Sequence, residues 1–181
     1  MKKLFMILPL TLILCFMVGC QDKAAMSELE AMKVQAEVEE QNALLIRQFM
    51  EKMDENAGLN DELLGLLADD FEWHMGGIPE PLNKEASEQF VAMLYSGFPD
   101  FNHTLEDMIA KGDKVAARCV ARGTHEGEFQ GIPPTGNNIE YGSLELWKIE
   151  DGKISRLWIQ SDMLGLMQQL GMELKPKEGE K

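Results

Sequence analysis

Cysteine is scarce in this sequence, basic residues are outnumbered, and no apolar run is long enough to cross a bilayer. Each shortage removes a class of protein. The three cysteines are Cys15, Cys20 and Cys119. Two of them fall in the N-terminal segment, so Cys119 alone remains for a folded domain, which then has no intrachain disulfide. The three histidines lie in unrelated segments with no ligand-spaced pair, so the sequence carries no metal signature and no cofactor is expected. Lys and Arg number 17 against 31 Asp and Glu. Without Lys2 and Lys3 the net charge stands at about −16. A nucleic acid backbone would be repelled by such a chain. The same charge disfavours docking onto anionic lipid and, without a local basic site, acidic small substrates.

The longest apolar run, Leu4 to Met17, follows Lys2 and Lys3 and stops at Val18-Gly19-Cys20. It is too short for a transmembrane helix and reads as a secretory signal. A small residue directly before cysteine resembles the lipobox cleaved by lipoprotein signal peptidase, which would make Cys20 the lipidated first residue. The alternative is an ordinary signal peptide with an incidental cysteine. Several acyl chains on Cys20 would hold the protein at a cell membrane or outer membrane, facing the periplasm or exterior. Residues 1–19 are thus expected to be the signal peptide. Residues 20–40 form a lipidated helical stalk, rich in Ala, Glu, Lys and Met and free of Pro and Gly after Cys20. Residues 41–172 form the domain and 173–181 a charged tail.

Within the domain the hydrophobic period changes in an orderly way. An apolar stripe through Ala43, Leu44, Ile46, Phe49, Met50 and Met53 predicts that the stalk helix runs into the domain's first helix. A second helix is expected over 60–67, capped by Asn60 or Asp61, then a short strand through Phe71, Trp73 and Met75. A third helix should span Lys84 to Tyr95. Four extended runs follow at about 102–110, 113–126, 137–149 and 153–161, turning at Lys111-Gly112-Asp113 and Asp151-Gly152. A last helix, Met163 to Leu170, ends at Gly171. Helices first and antiparallel strands later make an α+β domain.

Two motifs stand out. Thr124 to Gly136, THEGEFQGIPPTG, places Gly127 and Gly131, which admit backbone angles closed to other residues, beside the φ-fixing Pro133 and Pro134. Gly152 to Gly171, GKISRLWIQSDMLGLMQQLG, follows at a fixed distance. Together with QNALLIRQFMEKMDE (41–55), LADDFEWH (67–74) and FPDFNHTLEDMIAKGDKVAAR (98–118), they resemble the SnoaL-like polyketide cyclases, or ester cyclases, of the nuclear transport factor 2-like superfamily. The resemblance covers roughly residues 40 to 171. It implies a cone: helices packed in a strongly curved antiparallel sheet, closed by a short C-terminal helix, with a pocket inside.

Asp162 is the first candidate for chemistry. It ends the last strand among Leu157, Ile159, Met163, Leu164 and Leu166, where burial would raise its pKa into a useful range. It is equally well placed to cap the helix starting at Met163. In the family that the chain resembles, the matching aspartate is the acid/base of an intramolecular aldol ring closure. The family's histidine five residues earlier is here Leu157. His74, at the end of FEWH, is a second catalytic candidate. His125, Trp73, Phe129, Tyr141 and Trp158 are candidate ligand-binding residues, each also readable as core or loop structure. Cys119 reads as a small buried hydrophobe rather than a nucleophile, and Arg118 and Arg122 as surface residues paired with acids. Two functions remain open: a cofactor-free cyclase, isomerase or lyase acting on a small apolar carbonyl compound, or an envelope module that binds a ligand or partner without reaction. A homodimer is compatible with either.

Overall fold

A computed structural model describes residues 8–173 and 175, with side chains from residue 23 onward. The expected signal segment therefore lies in part, and the Cys20 side chain entirely, outside the described residues. The chain divides into two compact units, one ending at Val38 and one beginning at Glu39. Helix α1, Leu8–Glu55, contributes to both. In the first unit every described side chain is exposed. No helix among the described residues is long and apolar enough to cross a membrane.

The second unit holds α2 (Asp61–Leu66), β1 (Leu67–Met75), α3 (Lys84–Gly97), β2 (Asn102–Lys111), β3 (Lys114–Thr124), β4 (Asn138–Glu150), β5 (Lys153–Ser161) and α4 (Met163–Gln169). The strands form one five-stranded sheet in the order β1-β5-β4-β3-β2. This is the expected α+β architecture of helix, curved sheet and short closing helix. Tight turns make the hairpins: Asp151 and Gly152 both take positive φ, 51° and 74°, as a two-residue hairpin loop requires. Asn60 and Asn83 cap α2 and α3 by accepting from the backbone N–H of Leu63 and Ala86.

Three details differ from the sequence expectation. Leu67 opens β1 instead of closing α2, its extended backbone (φ −83°, ψ 141°) placing it in the core. β1 pairs with β5 in parallel rather than antiparallel. No hairpin joins those two strands, so nothing local reverses the chain between them. Helix α3 continues to Gly97, whose carbonyl then accepts the N–H groups of Glu126 and Gly127 at 3.0 Å each.

Alternation decides which side chains face inward. On β3 Val115, Ala117, Cys119 and Ala121 are buried; on β4 the inward series is Ile139, Tyr141, Ser143, Glu145, Trp147 and Ile149. Helix α1 fills one part of the concave side through Ile46, Phe49 and Met50, and α3 another through Val91, Leu94 and Tyr95. Glu39 and Asn42 hold α1 to the β2–β3 turn, bonding the N–H of Gly112 at 2.9 Å and its carbonyl at 3.0 Å. Cys119 is fully buried, and burial, with the charge of Glu145 behind it, pushes its thiol up to about 12. That is inert sulfur, as expected. Arg118 and Arg122 lie outward and pair with Glu106 and Glu140.

Candidate functional site

Between the helices and the concave face lies a cavity of about 350 Å³. Phe49, Met50 and Met53 of α1, Phe90, Val91 and Leu94 of α3, and Phe71, Trp73 and Met75 of β1 give it largely apolar walls. Tyr141, Glu145 and Trp147 of β4 and Leu157, Ile159 and Ser161 of β5 complete the sheet side, while Gly76, Gly77, Ile78 and Gln130 add backbone and side chains from two loops. Such a space suits a small apolar molecule held by a few polar groups.

Of the sequence candidates, Trp73, Phe129 and Tyr141 line this cavity. Trp73 packs edge-on against Phe90 at 5.4 Å, and its indole nitrogen is buried without a partner among the described residues. Burial, reinforced by the charge of Glu145, holds the Tyr141 phenol well above its ordinary pKa. His74 and Trp158 do not line the cavity. Leu157, Ile159 and Ser161 point inward, so the strand's alternation turns Trp158 to the opposite face, where it stacks on His74 at 5.5 Å. There Glu72 accepts from Arg156 at 2.9 Å and contacts His74 at 3.1 Å; these two hydrogen bonds hold its carboxyl below the usual range.

His125 is fully buried yet stands off the cavity. It braces the motif loop: Nδ1 meets Thr135 Oγ1 at 3.0 Å, the ring stacks on Phe98 at 5.1 Å, and its backbone bonds Asn137 and Gly136. Asp162 is exposed and caps α4, accepting from the N–H of Gly165 at 2.8 Å. A Cβ at position 165 would sit 2.4 Å from the Asp162 carboxylate, so glycine there makes room for the cap. Asp162→Ala is expected to cost about 1 kcal/mol in urea unfolding. An unchanged midpoint would show the cap to be idle.

Beside Tyr141, two further titratable groups face the cavity, and neither is among the sequence candidates. Glu145 is only 6% exposed; its carboxylate accepts from Ser143 Oγ at 3.0 Å and Trp147 Nε1 at 3.1 Å. Burial raises its pKa, and the nearby His103 only partly counters this. His103 also lines the cavity. Its Nδ1 lies 2.8 Å from Asp54 Oδ1, its backbone N–H donates to Oδ2 at 2.7 Å, and the Tyr95 hydroxyl donates to Oδ1 at 2.6 Å. Burial alone would raise Asp54, but these bonds outweigh it and hold the carboxyl below its ordinary range. Tyr95 is correspondingly raised, by burial first and then by Asp54. Among the described residues no group of three His, Cys, Asp or Glu is arranged to hold a metal ion. Glu145, His103 and Tyr141 give the cavity wall three groups able to exchange protons.

The family model described as SnoaL-like polyketide cyclase matches residues 44–170. The aklanonic acid methyl ester cyclase DnrD of Streptomyces peucetius is 32% identical over 102 residues, covering 56% of this chain and 70% of that protein. Among solved structures, IdmH of Streptomyces antibioticus superposes with a TM-score of 0.62 at 33% identity, over 72% of this chain and 99% of its own. A SnoaL-like structure from Jannaschia sp. CCS1 shares the fold with a TM-score of 0.67 at 21% identity, over 75% and 95% of the two chains.

Proposed function

The chain belongs to the SnoaL-like polyketide cyclase family, and on that premise we propose that its cavity takes a small, neutral, largely apolar carbonyl compound whose proton is carried by Glu145. The observation that supports this is the placement of one carboxyl group, almost wholly buried, in the wall of a largely apolar cavity. Ring closure through an enolate needs a base at the carbon beside a carbonyl, and a carboxylate whose pKa is raised by burial is a stronger base than an exposed one. An anionic substrate would meet Glu145 and an acidic protein. Glu145 thus takes the role that the resemblance gives to Asp162, whose carboxylate serves the α4 N-terminus instead.

The test is hydrogen–deuterium exchange at the carbons flanking the carbonyl of 2-tetralone, a two-ring ketone, followed by NMR with the full chain in D2O. Exchange faster than buffer, reduced by Glu145→Gln, supports the reading. Binding of 2-tetralone without any acceleration would instead favour a module that holds its ligand unchanged.

The same proposal includes an exported, lipid-anchored location, supported by Lys2, Lys3, the apolar run to Met17 and the Gly19-Cys20 step. Labelled palmitate should enter the wild-type chain in a bacterial host, and Cys20→Ser should abolish the label. Equal labelling of both would remove the anchor from Cys20.

A further inference from the structure

We infer that His103, oriented by Asp54, is a second proton-carrying group of the cavity, delivering a proton to the ligand's carbonyl oxygen while Glu145 works at carbon. The inference rests on the Glu145 reading and adds to it. Three donors converge on Asp54: the Tyr95 hydroxyl, the His103 backbone N–H and the His103 ring. Both carboxylate oxygens act as acceptors, and hydrogen bonding holds the group ionised. The ring nitrogen facing Asp54 must then carry hydrogen. Nδ1 is thereby occupied, which leaves Nε2 to exchange a proton with whatever enters the cavity that His103 lines.

Topology sets the two groups on one inward face of the sheet. His103 pairs with Ala121 on β3, Ala121 with Tyr141 on β4, and Glu145 lies four residues farther along β4 on the same inward phase. His103 and Glu145 thus both line one largely apolar cavity. A ligand that reaches both can exchange a proton at each.

The step balances without a co-reactant. Glu145 takes the proton from the carbon beside the carbonyl; the C–H electron pair becomes the new C=C bond. The carbonyl π pair moves to oxygen, which takes the Nε2 proton of the imidazolium. The product is an enol, with Glu145 protonated and His103 neutral. The enol carbon then attacks a second carbonyl, closing a ring: the C=C pair becomes the new C–C bond, the first C=O re-forms as the enol O–H proton returns to His103 Nε2, and the second carbonyl's π pair moves to its oxygen, which takes the proton held by Glu145. The substrate class that follows is a neutral ketone with an acidic C–H and room for a second acceptor carbon.

The experiment uses the full chain with two probes, 2-tetralone for exchange and 2-naphthol as an enol mimic followed by its fluorescence. His103→Gln should slow exchange and weaken 2-naphthol binding, each by about tenfold or more, the scale of one charge-assisted hydrogen bond. Asp54→Asn keeps the imidazole but frees its tautomer. The ¹⁵N shifts of His103 should then show Nε2–H in the neutral ring, where the wild type shows Nδ1–H, and exchange should fall although circular dichroism is unchanged. If Glu145→Gln abolishes exchange while both His103→Gln and Asp54→Asn leave it at the wild-type rate, the inference is overturned and the Glu145 reading stands. If the wild type accelerates no exchange, the Glu145 reading fails and takes this one with it.

Discussion

Gly127→Ala is expected to destabilise the domain by about 3 kcal/mol or more, because the added methyl has no space to enter. A Cβ at this position would lie 2.1 Å from the carbonyl oxygen of Ser96 and 3.2 Å from the Cα of Gly97. Both are backbone atoms, so no rotamer change relieves the clash. The motif loop and the end of α3 would have to part, breaking the two 3.0 Å hydrogen bonds from Glu126 and Gly127 to Gly97. In a domain of this size the thermal midpoint should fall by about 10 °C. Gly142→Ala is the control: its Cβ would meet nothing closer than the Cys119 carbonyl at 3.9 Å, and it should change stability by less than about 0.5 kcal/mol. Gly131→Ala, with open space but a φ of 79°, should cost about 1 kcal/mol. Equal effects at all three sites would mean that conformational freedom, not the contact with Ser96, is what glycine supplies at 127.

That contact shows how far the sequence could be read. The glycines and prolines of THEGEFQGIPPTG announce a constrained loop, and Gly131 has the positive φ such residues allow. Gly127 does not; its reason is an approach to α3, thirty residues earlier, which no local pattern displays. The helices and hairpins were legible because caps, alternation and two-residue turns are local devices. The parallel β1–β5 pairing was not, being a contact between distant segments.

The site follows the same division. Trp73, Phe129 and Tyr141, aromatic residues readable either as pocket or as core, line the cavity. Trp158 and His74 fall on the other face, because β1 and β5 pair in register with Trp73 opposite Leu157 on the cavity side. Glu145 had a usable signal. Along Tyr141-Gly142-Ser143-Leu144-Glu145-Leu146-Trp147, Leu144 and Leu146 imitate the buried phase, yet Leu144 is 62% exposed and Trp147 and Ile149 hold the true one. A carboxylate in step with Trp147 and Ile149 is a buried carboxylate. Asp54 and His103 had none, since 49 residues separate them and each stands in an ordinary polar context.

Glu145→Gln should lower 2-tetralone exchange by about 10²- to 10⁴-fold while making the protein more stable at pH 8. The side chains are nearly isosteric, the amide oxygen can accept from Trp147 Nε1, and the amide nitrogen can donate to the Ser143 hydroxyl, which rotates to accept. Packing is thus retained, and the removed feature is the charge. Burial holds the Glu145 carboxyl above its ordinary pKa in the folded state. Between the unfolded and the folded pKa the native protein therefore holds more protons than the unfolded chain, so stability falls as pH rises through that window. Below the window both states are protonated and the penalty vanishes. Urea unfolding at pH 4 and pH 8 should show wild type losing stability at the higher pH relative to Glu145→Gln, with the two close together at the lower. A variant less stable than wild type at pH 8 would mean that the hydrogen bonds from Ser143 and Trp147 outweigh the cost of burying charge, and the carboxylate would then be a structural anchor. Loss of exchange together with a gain in stability is the combination expected of a group kept for chemistry at the expense of the fold.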